Sequence, residues 1–300
     1  MTRHRYRGRF APSPSGPLHF GSLISALGSY LDAKAQGGEW WLRIDDLDPP
    51  RVAPGATDAI LRALEAYGLL WDGAVQYQSQ RNQAYAAAFA ELQGLGVVYA
   101  CACSRREIAD SRVSGATVAI YPGTCRARLA PAKSGRAWRV DTRGARVGFA
   151  DRLQGLIEQD LEREAGDFIV QRADGWFAYQ LAAVVDDAEL GITDIVRGAD
   201  LIDSTLRQVY LQHLLKLPTP RYLHLPVAVN ALGEKLSKQT LAPPLDMTFP
   251  QSSLIRALAF LKHPPPLALQ HAAVAEILSW AVAHWKPAGL PQARTIELKP

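Results

Sequence analysis

A histidine lies in a turn rich in proline and glycine close to the start of the chain. Residues 9–22 read Arg-Phe-Ala-Pro-Ser-Pro-Ser-Gly-Pro-Leu-His-Phe-Gly-Ser. Pro12 and Pro14 do not allow a helix before the turn ends, and apolar residues then recur at helical spacing. Backbone N–H groups at the start of that helix favour an anion. We therefore predict an anion site beside His19, with Gly21 letting a ligand approach the backbone.

A second candidate phosphate site, Lys235-Leu-Ser-Lys238, lies towards the other end of the chain. The two lysines supply point charges and the serine between them supplies a hydroxyl donor, which suits a triphosphate. A solvated basic loop uses the same residue types. The lysine run therefore indicates a phosphate site only in combination with the histidine turn.

Together the two stretches resemble the signatures of class I aminoacyl-tRNA synthetases. His19-Phe-Gly-Ser22 is similar to their HIGH motif, and Lys235-Leu-Ser-Lys-Gln239 to their KMSKS loop, with leucine for methionine and glutamine for the last serine. The resemblance implies binding of ATP with Mg²⁺ and charge stabilisation on its phosphates. The implied catalytic residues are His19 and Lys238, and the implied ATP-binding residues are His19, Gly21, Ser22, Lys235, Ser237 and Lys238.

Charged residues also end the first two predicted strands. Arg9 ends the first, and the second leads into Arg43-Ile-Asp-Asp-Leu-Asp-Pro-Pro-Arg51. A buried arginine at this position would bind a carboxylate through a bidentate fork, and the acids would hold an ammonium group. A cluster of surface charges is the alternative interpretation.

The surroundings of these charges resemble the glutamyl branch of the class I synthetases. The stretches 9–21, 43–51, 177–187 and 196–200 carry this resemblance. It implies that Arg9 binds the side-chain carboxylate of glutamate and that Asp45, where the family usually has glutamate, meets the substrate amino group. From its residue type alone, Tyr179 could equally pack in the core. The implied glutamate-binding residues are Arg9, Phe10, Ala11, Pro12, Ser13, Asp45, Tyr179 and Arg197.

The three cysteines are the candidate metal ligands. Cys101-x-Cys103 is followed by Tyr121-x-x-x-Cys125. Two thiolates one residue apart can bind one ion, although C-x-x-C is the more usual spacing and buried reduced cysteines are an alternative. Some members of the glutamyl family carry this C-x-C pattern in an insertion. The resemblance implies a structural zinc site made of Cys101, Cys103, Tyr121 and Cys125.

The hydrophobic pattern predicts an α/β protein. A strand–helix–strand unit at the start implies parallel strands, and the same alternation resumes after residue 167. The fold class is a doubly wound, Rossmann-type parallel sheet, and its ligands are expected beyond the carboxyl ends of the strands. Predicted helices cover about 21–36, 54–67, 80–93, 180–187 and 201–215, with two more in 249–285; predicted strands cover 5–11, 39–45, 168–171, 192–196 and 222–229.

Changes of composition along the chain predict four segments. Residues 1–96 form the first half of the catalytic domain, and 97–166 form an inserted zinc-binding subdomain. Residues 167–240 form the second half with the lysine loop, and 241–300 form a small helical segment similar to a stem-contact region.

Composition limits the class of protein. Of the residues 48% are hydrophobic and 21% charged, as in a soluble globular protein, and no 18-residue apolar window or signal peptide is visible. Three cysteines, an odd number, fit a reducing cytoplasm. We expect a cytoplasmic monomer without membrane contact. Residues 105–152 hold eleven basic and four acidic residues, which indicates a polyanionic partner or an arginine-rich surface.

The length after the lysine loop bears on the acceptor. Only 62 residues follow Lys238, whereas a full glutamyl-tRNA synthetase continues into a helical anticodon-binding domain. The shorter plan resembles family members that activate L-glutamate without tRNA and transfer it to queuosine in the anticodon arm of tRNA(Asp). Three alternatives remain: a minimal glutamyl-tRNA synthetase that charges 3′ ends, a nucleotidyltransferase that does not use tRNA, and an inactive RNA-binding paralogue.

Overall fold

The chain begins with a parallel strand–helix–strand unit. The computed structural model describes residues 5–110, 120–127, 129, 134–236 and 243–298. Strand β1 (Arg7–Phe10) leads through helix α1 (Phe20–Lys34) to β2 (Glu39–Ile44), which pairs in parallel with β1. A two-residue strand, β3 (Gln76–Tyr77), adds to β2 in parallel. Helices α2 (Ala56–Ala66) and α3 (Asn82–Gly94) lie on either side of β3 in the chain.

Four further strands form a second sheet beside the first. Their order is β7 (Gly155–Asp160), β6 (Arg146–Asp151), β10 (Arg221–Leu225), β9 (Asp194–Gly198). Strand β10 runs parallel to both β9 and β6, and β6–β7 is an antiparallel hairpin. The Thr193 N–H donates to the Arg7 carbonyl over 2.9 Å, which ties β9 to β1 at the centre of the molecule.

Helices cover both groups of strands. Helices α6 (Tyr179–Glu189) and α7 (Ile202–Leu214) precede and follow β9, and they pack with α3 around the buried residues Tyr85, Leu181 and Leu211. The main core lies between α1, β1, β2, β10 and the helices α8 (Pro250–Phe260) and α9 (Val274–His284). At Gly28 a Cβ would lie 2.5 Å from the Leu225 side chain, so glycine lets α1 pack closely on β10.

A third, antiparallel sheet carries the cysteines. Its order is β4 (Val98–Cys101), β5 (Ala137–Val140), β8 (Ile169–Gln171), and the short helix α4 (Arg105–Asp110) follows β4. A one-turn helix, α5 (Leu161–Glu164), follows the β6–β7 hairpin. The Asp160 side chain caps α5 by accepting from the Arg163 N–H over 3.2 Å.

The stretch predicted as one strand over residues 222–229 is two strands. Strand β10 ends before Pro226, and β11 (Val227–Val229) pairs in parallel with β12 (Thr295–Glu297) near the end of the chain. Proline has no N–H for a sheet ladder, so the pairing changes partner at this residue. The chain leaves β11 directly into the lysine loop.

The predicted α/β class and doubly wound parallel arrangement are confirmed. The predicted segment boundaries stay predictions, and strand pairs cross them: β6 pairs with β10, and β5 pairs with β8. Within the described residues, no helix combines the length and the apolar character that a membrane span requires.

Candidate active site

A cavity of about 600 Å³ opens where β1 and β9 end and α1 and α6 begin. This is the position at which doubly wound sheets bind their ligands. Of the residues predicted to bind glutamate or ATP, eleven line it: Arg9, Phe10, Ala11, Pro12, Ser13, His19, Gly21, Ser22, Tyr179, Arg197 and Lys235. The two ligand sets predicted from separate stretches of sequence therefore share one cavity.

The histidine turn ends in a reciprocal helix cap. The Ser22 N–H donates to His19 Nδ1 over 3.3 Å, and the His19 N–H donates to Ser22 Oγ over 2.7 Å. Histidine here takes the place of the usual serine or aspartate cap. Because Nδ1 accepts, the proton of the neutral ring lies on Nε2. His19 can therefore offer an N–H donor in the cavity wall.

The lysine loop lies directly against the histidine turn. A Cβ on Gly21 would be 3.0 Å from the Leu236 carbonyl oxygen, which is tighter than an ordinary contact. The Leu236 N–H donates to the Ala228 carbonyl over 2.9 Å, and Lys235 Nζ contacts the Asp200 carboxylate. Ser237 and Lys238 lie outside the described residues, so their predicted roles stay predictions.

One wall of the cavity holds a buried network of paired charges. Arg9 donates from Nε and Nη2 to Asp187 over 3.2 and 3.4 Å, and Arg43 donates from Nη1 to Asp187 over 2.7 Å. Burial alone would raise the pKa of Asp187, but the charges of Arg9 and Arg43 lower it. Asp187 is therefore ionised and serves both arginines.

Asp45 belongs to this network and does not line the cavity. Its carboxylate accepts from Arg43 Nε and Nη2 over 2.6 and 3.4 Å, and its backbone N–H donates to the Pro12 carbonyl over 3.0 Å. The Asp45 side chain is only 6% exposed. Of the predicted glutamate-binding set, Asp45 is the one residue that the structure does not bring to the cavity.

The opposite wall holds a buried arginine with neutral partners. Arg197 is 4% exposed, and it donates to Tyr179 OH over 3.1 Å, to Thr205 Oγ1 over 2.8 Å and to Gln208 Oε1 over 2.7 Å. Its Nε lies 3.5 Å from His224 Nε2. Within the described parts of the chain no carboxylate forms an ion pair with Arg197, although its charge, after those of Arg9 and Arg43, helps to lower the pKa of Asp187. This guanidinium can take a substrate carboxylate.

The three thiols meet at one point. The Sγ atoms of Cys101, Cys103 and Cys125 lie within 4.8 Å of one another, with 3.6 Å between the last two. Tyr121 OH lies 3.4 Å from Cys101 Sγ and 3.7 Å from Cys103 Sγ. A zinc tetrahedron with bonds of about 2.3 Å has edges of about 3.8 Å. These separations are compatible with one ion between the three sulfurs and the Tyr121 oxygen, and the zinc site implied by the resemblance stays a prediction.

The surroundings act on the individual thiols in different directions, and burial raises the pKa of Cys103 to about 11. Arg139 Nε donates to Cys101 Sγ over 3.3 Å, and its guanidinium lies 4.0 Å from the centre of the Tyr121 ring. Burial tends to raise the pKa of the Cys125 thiol, but hydrogen bonds to Tyr121 and to the Ala102 N–H lower it. The thiols are free cysteines, which keeps all three available to a metal.

Sequence reasoning did not single out Arg43, Asp187 or His224, which the structure places against the arginines of the cavity. Asp187 has a visible signal, because it lies with Asp186 directly after the apolar run 181–185 of α6. His224 has another, because it lies between two leucines in a buried strand. Buried charged and polar residues require partners, so both positions pointed to an internal network.

Comparison with known proteins agrees with this architecture. The family model described as "tRNA synthetases class I (E and Q), catalytic domain" matches residues 5–248. The chain is 57% identical to the glutamyl-Q tRNA(Asp) synthetase of Aromatoleum aromaticum over 96% of this chain and 91% of that protein. It is 54% identical to the Dechloromonas aromatica protein of the same name over 98% of each.

The fold also matches a solved structure. The glutamate-tRNA synthetase of Elizabethkingia anophelis superposes with a TM-score of 0.81 at 22% identity, over 99% of this chain and 68% of that one. The chain therefore belongs to the class I tRNA synthetases of the glutamate and glutamine group, which are ATP-dependent ligases.

Proposed function

We propose that this protein activates L-glutamate with ATP, without tRNA, and transfers the glutamyl group to queuosine in the anticodon loop of tRNA(Asp). The observation that carries the first half is Arg197, a buried cation in the cavity wall with only neutral partners among the described residues. A buried guanidinium of this kind favours an anionic ligand. The second half is supported by near full-length relatives that bear the name glutamyl-Q tRNA(Asp) synthetase.

In this proposal one group of lining residues binds glutamate and another group binds ATP. Arg9 and Arg197 lie near the ends of β1 and β9, Tyr179 begins α6, and the three would hold glutamate through its carboxylates. His19, Gly21, Ser22 and Lys235 lie at the start of α1 and would hold the phosphates of ATP. Asp45 remains our candidate for an indirect contact with the amino group, through a water that bridges it to the substrate.

Mg²⁺ would enter with ATP and neutralise its phosphates. Asp200 is the one acidic residue in the described lining of the cavity, and Lys235 contacts it. Most ligands of Mg²⁺ would therefore be phosphate oxygens and water, as is usual for this ion.

Activation needs no covalent bond to the protein. An oxygen of the glutamate α-carboxylate attacks the α-phosphorus of ATP, and pyrophosphate leaves with the electron pair of the broken P–O bond. The product is glutamyl-adenylate. Catalysis of such a step is mainly positioning and charge stabilisation. We propose that the His19 Nε2–H and Lys238 stabilise the negative charge that develops on the phosphate.

In the transfer step a hydroxyl of the queuosine ring attacks the carbonyl carbon of the adenylate. AMP leaves, and the hydroxyl proton passes to solvent or to the phosphate. The arginine-rich region 105–152 is our candidate contact for the anticodon arm. The structure narrows that surface, because Arg126, Arg139 and Arg152 are bound within the protein, whereas Arg136 and Arg146 are exposed.

We also propose that the cysteine cluster holds a structural zinc ion. Cys101, Cys103, Cys125 and Tyr121 would fill all four positions of a tetrahedral site, which leaves none for substrate. Protein purified without chelators should contain about one zinc ion per chain, and the Cys103→Ser variant should contain much less. Wild-type protein without zinc would contradict the assignment.

The deciding experiment compares two preparations of tRNA(Asp), one with queuosine and one without. With labelled glutamate and ATP, we expect label only on the tRNA that carries queuosine. Arg197→Met serves as the control for background labelling. Equal labelling of both preparations, or labelling of tRNA(Glu), would point to charging of 3′ ends. Glutamate-dependent exchange of pyrophosphate into ATP without any labelled tRNA would retain the activation step and overturn the acceptor.

A further inference from the structure

A chain of buried polar side chains lies behind Arg197, on the side away from the cavity. His224 is in β10, Asp151 ends β6, and Thr205 is in α7. His224 Nδ1 lies 2.6 Å from Asp151 Oδ2, and His224 Nε2 lies 2.8 Å from Thr205 Oγ1. The same Thr205 oxygen accepts from Arg197. All three side chains are almost completely buried.

The partners of His224 determine where its proton lies. Asp151 also accepts from the backbone N–H groups of Leu153, Gln154 and His224, so it is held as an ionised acceptor. Although its burial favours the neutral acid, hydrogen bonds from the His224 side chain and from these backbone N–H groups lower the pKa of Asp151. The imidazole therefore carries its proton on Nδ1 and presents a lone pair at Nε2.

The lone pair at Nε2 faces the substrate side. Thr205 Oγ1 lies 2.8 Å from Nε2 and 2.9 Å from the Leu201 carbonyl oxygen, so its single proton is shared between these two acceptors, while its oxygen accepts from Arg197 Nη2. Nε2 also lies 3.5 Å from Arg197 Nε, which donates towards it. Burial and the nearby charge of Arg197 lower the pKa of His224, which keeps the ring neutral. Arg197 is thus held by neutral hydrogen-bond acceptors, and no described carboxylate forms an ion pair with it.

We infer that His224, oriented by Asp151, is a positioning residue that aims Arg197 at the substrate carboxylate and keeps its charge available for that carboxylate. This inference rests on the proposed activation of glutamate. A carboxylate in direct contact with Arg197 would compete with the substrate, whereas an imidazole accepts a hydrogen bond without neutralising the cation. The arrangement selects an anionic side chain over the neutral amide of glutamine.

Two substitutions test the roles of the two ring nitrogens of His224 separately. In His224→Asn the amide lies near the Nδ1 position, so it keeps a donor for Asp151 and loses the acceptor that faces Thr205 and Arg197. In His224→Gln the longer amide reaches the Nε2 position and restores that acceptor. His263→Asn is the matched control, because His263 is also buried and bonded at both nitrogens but lies outside the cavity lining.

The readout is exchange of labelled pyrophosphate into ATP, with KM measured separately for glutamate and ATP. For His224→Asn we expect the KM for glutamate to rise about tenfold, with kcat and the KM for ATP within about twofold of wild type. His224→Gln should recover most of the loss, and His263→Asn should leave all three constants unchanged. Glutamine should compete better against glutamate in His224→Asn than in wild type.

Several results would overturn the inference. An unchanged KM for glutamate in folded His224→Asn would do so, as would an equal loss in kcat and in both KM values, which indicates a general structural role. If His224→Asn does not fold, Thr205→Val removes the same link to Arg197, and its KM for glutamate must rise for the inference to stand. Wild-type protein without glutamate-dependent exchange would refute the proposed function, and the inference with it.

Discussion

The two buried arginines of the cavity differ in what surrounds them. Arg9 shares Asp187 with Arg43, whereas Arg197 is bound by Tyr179, Thr205 and Gln208 and by no carboxylate of the described residues. Both are about equally buried, at 3% and 4% exposure. The first wall is compensated within the fold, and the second is left for a ligand to compensate. Arg9 therefore meets a ligand with an ion pair already in place, whereas Arg197 has none within the described residues.

This difference separates stability from affinity. Removing one member of a compensated buried network leaves charges stranded in a low-dielectric interior, which costs stability. Removing Arg197, whose hydrogen-bond partners are neutral, breaks no ion pair among the described residues, so we expect most of the cost to appear when the anionic substrate binds. Substitutions in the Arg9 network should therefore mainly lower stability, whereas substitution of Arg197 should mainly lower affinity for the substrate.

The largest effect is expected at Arg197. Arg197→Met should lower kcat/KM for glutamate in pyrophosphate exchange about a thousandfold, or about 4 kcal/mol, because the substrate carboxylate loses its cation. Its thermal midpoint should remain close to that of wild type. Near-normal exchange by this variant would contradict the proposed role of Arg197 in binding the substrate carboxylate.

The complementary test is Arg43→Met. This change leaves the carboxylates of Asp45 and Asp187 buried without their main partner, so the free energy of unfolding should fall by about 4 kcal/mol. Urea denaturation measures the loss. Arg143→Met is the control, because Arg143 forms an exposed pair with Asp141, and little change is expected there. Equal stability of the two variants would contradict the assigned role of the first wall.

A smaller effect is expected at Gly21, in the histidine turn. In Gly21→Ala the new Cβ would meet the Leu236 carbonyl at 3.0 Å and displace the lysine loop, so kcat should fall about tenfold while the helix keeps or gains stability. Gly94→Ala is the control, because nothing lies within 4 Å of a Cβ there. An unaltered kcat for Gly21→Ala would show that the loop does not need this close approach.

The smallest effect concerns His224, the neutral residue beside Arg197, and the dependence of stability on pH. Because the folded-state pKa of His224 lies below its ordinary value of 6.5, the unfolded chain takes up the proton first as pH falls. Stability from His224 is therefore full above about pH 6.5 and declines below it, by at most about 1.4 kcal/mol per pH unit. In urea titrations the advantage of wild type over His224→Asn should narrow below that pH. A constant difference would mean that folding does not lower the pKa of His224.

Much of the fold could be predicted because its signals are local. The turn at Pro12 and Pro14, the amphipathic helix after it and the apolar helix α7 follow from neighbouring residues. The break at Pro226 could also have been found, since proline interrupts a strand pairing. The C-terminal strand β12 could not, because its partner β11 lies far away in the chain.

The candidate site divides in the same way. Local sequence was enough for the histidine turn, the lysine run and the cysteine spacing, because phosphate and zinc binding use compact patterns of residues. The pairing of Arg9 with Asp187 joins residues 178 apart, and that of His224 with Asp151 joins residues 73 apart. Such pairs have no local pattern, since a buried charge is matched by whichever partner the packing of distant strands brings near. Whether an arginine is compensated or available to a substrate is therefore a property of the folded molecule.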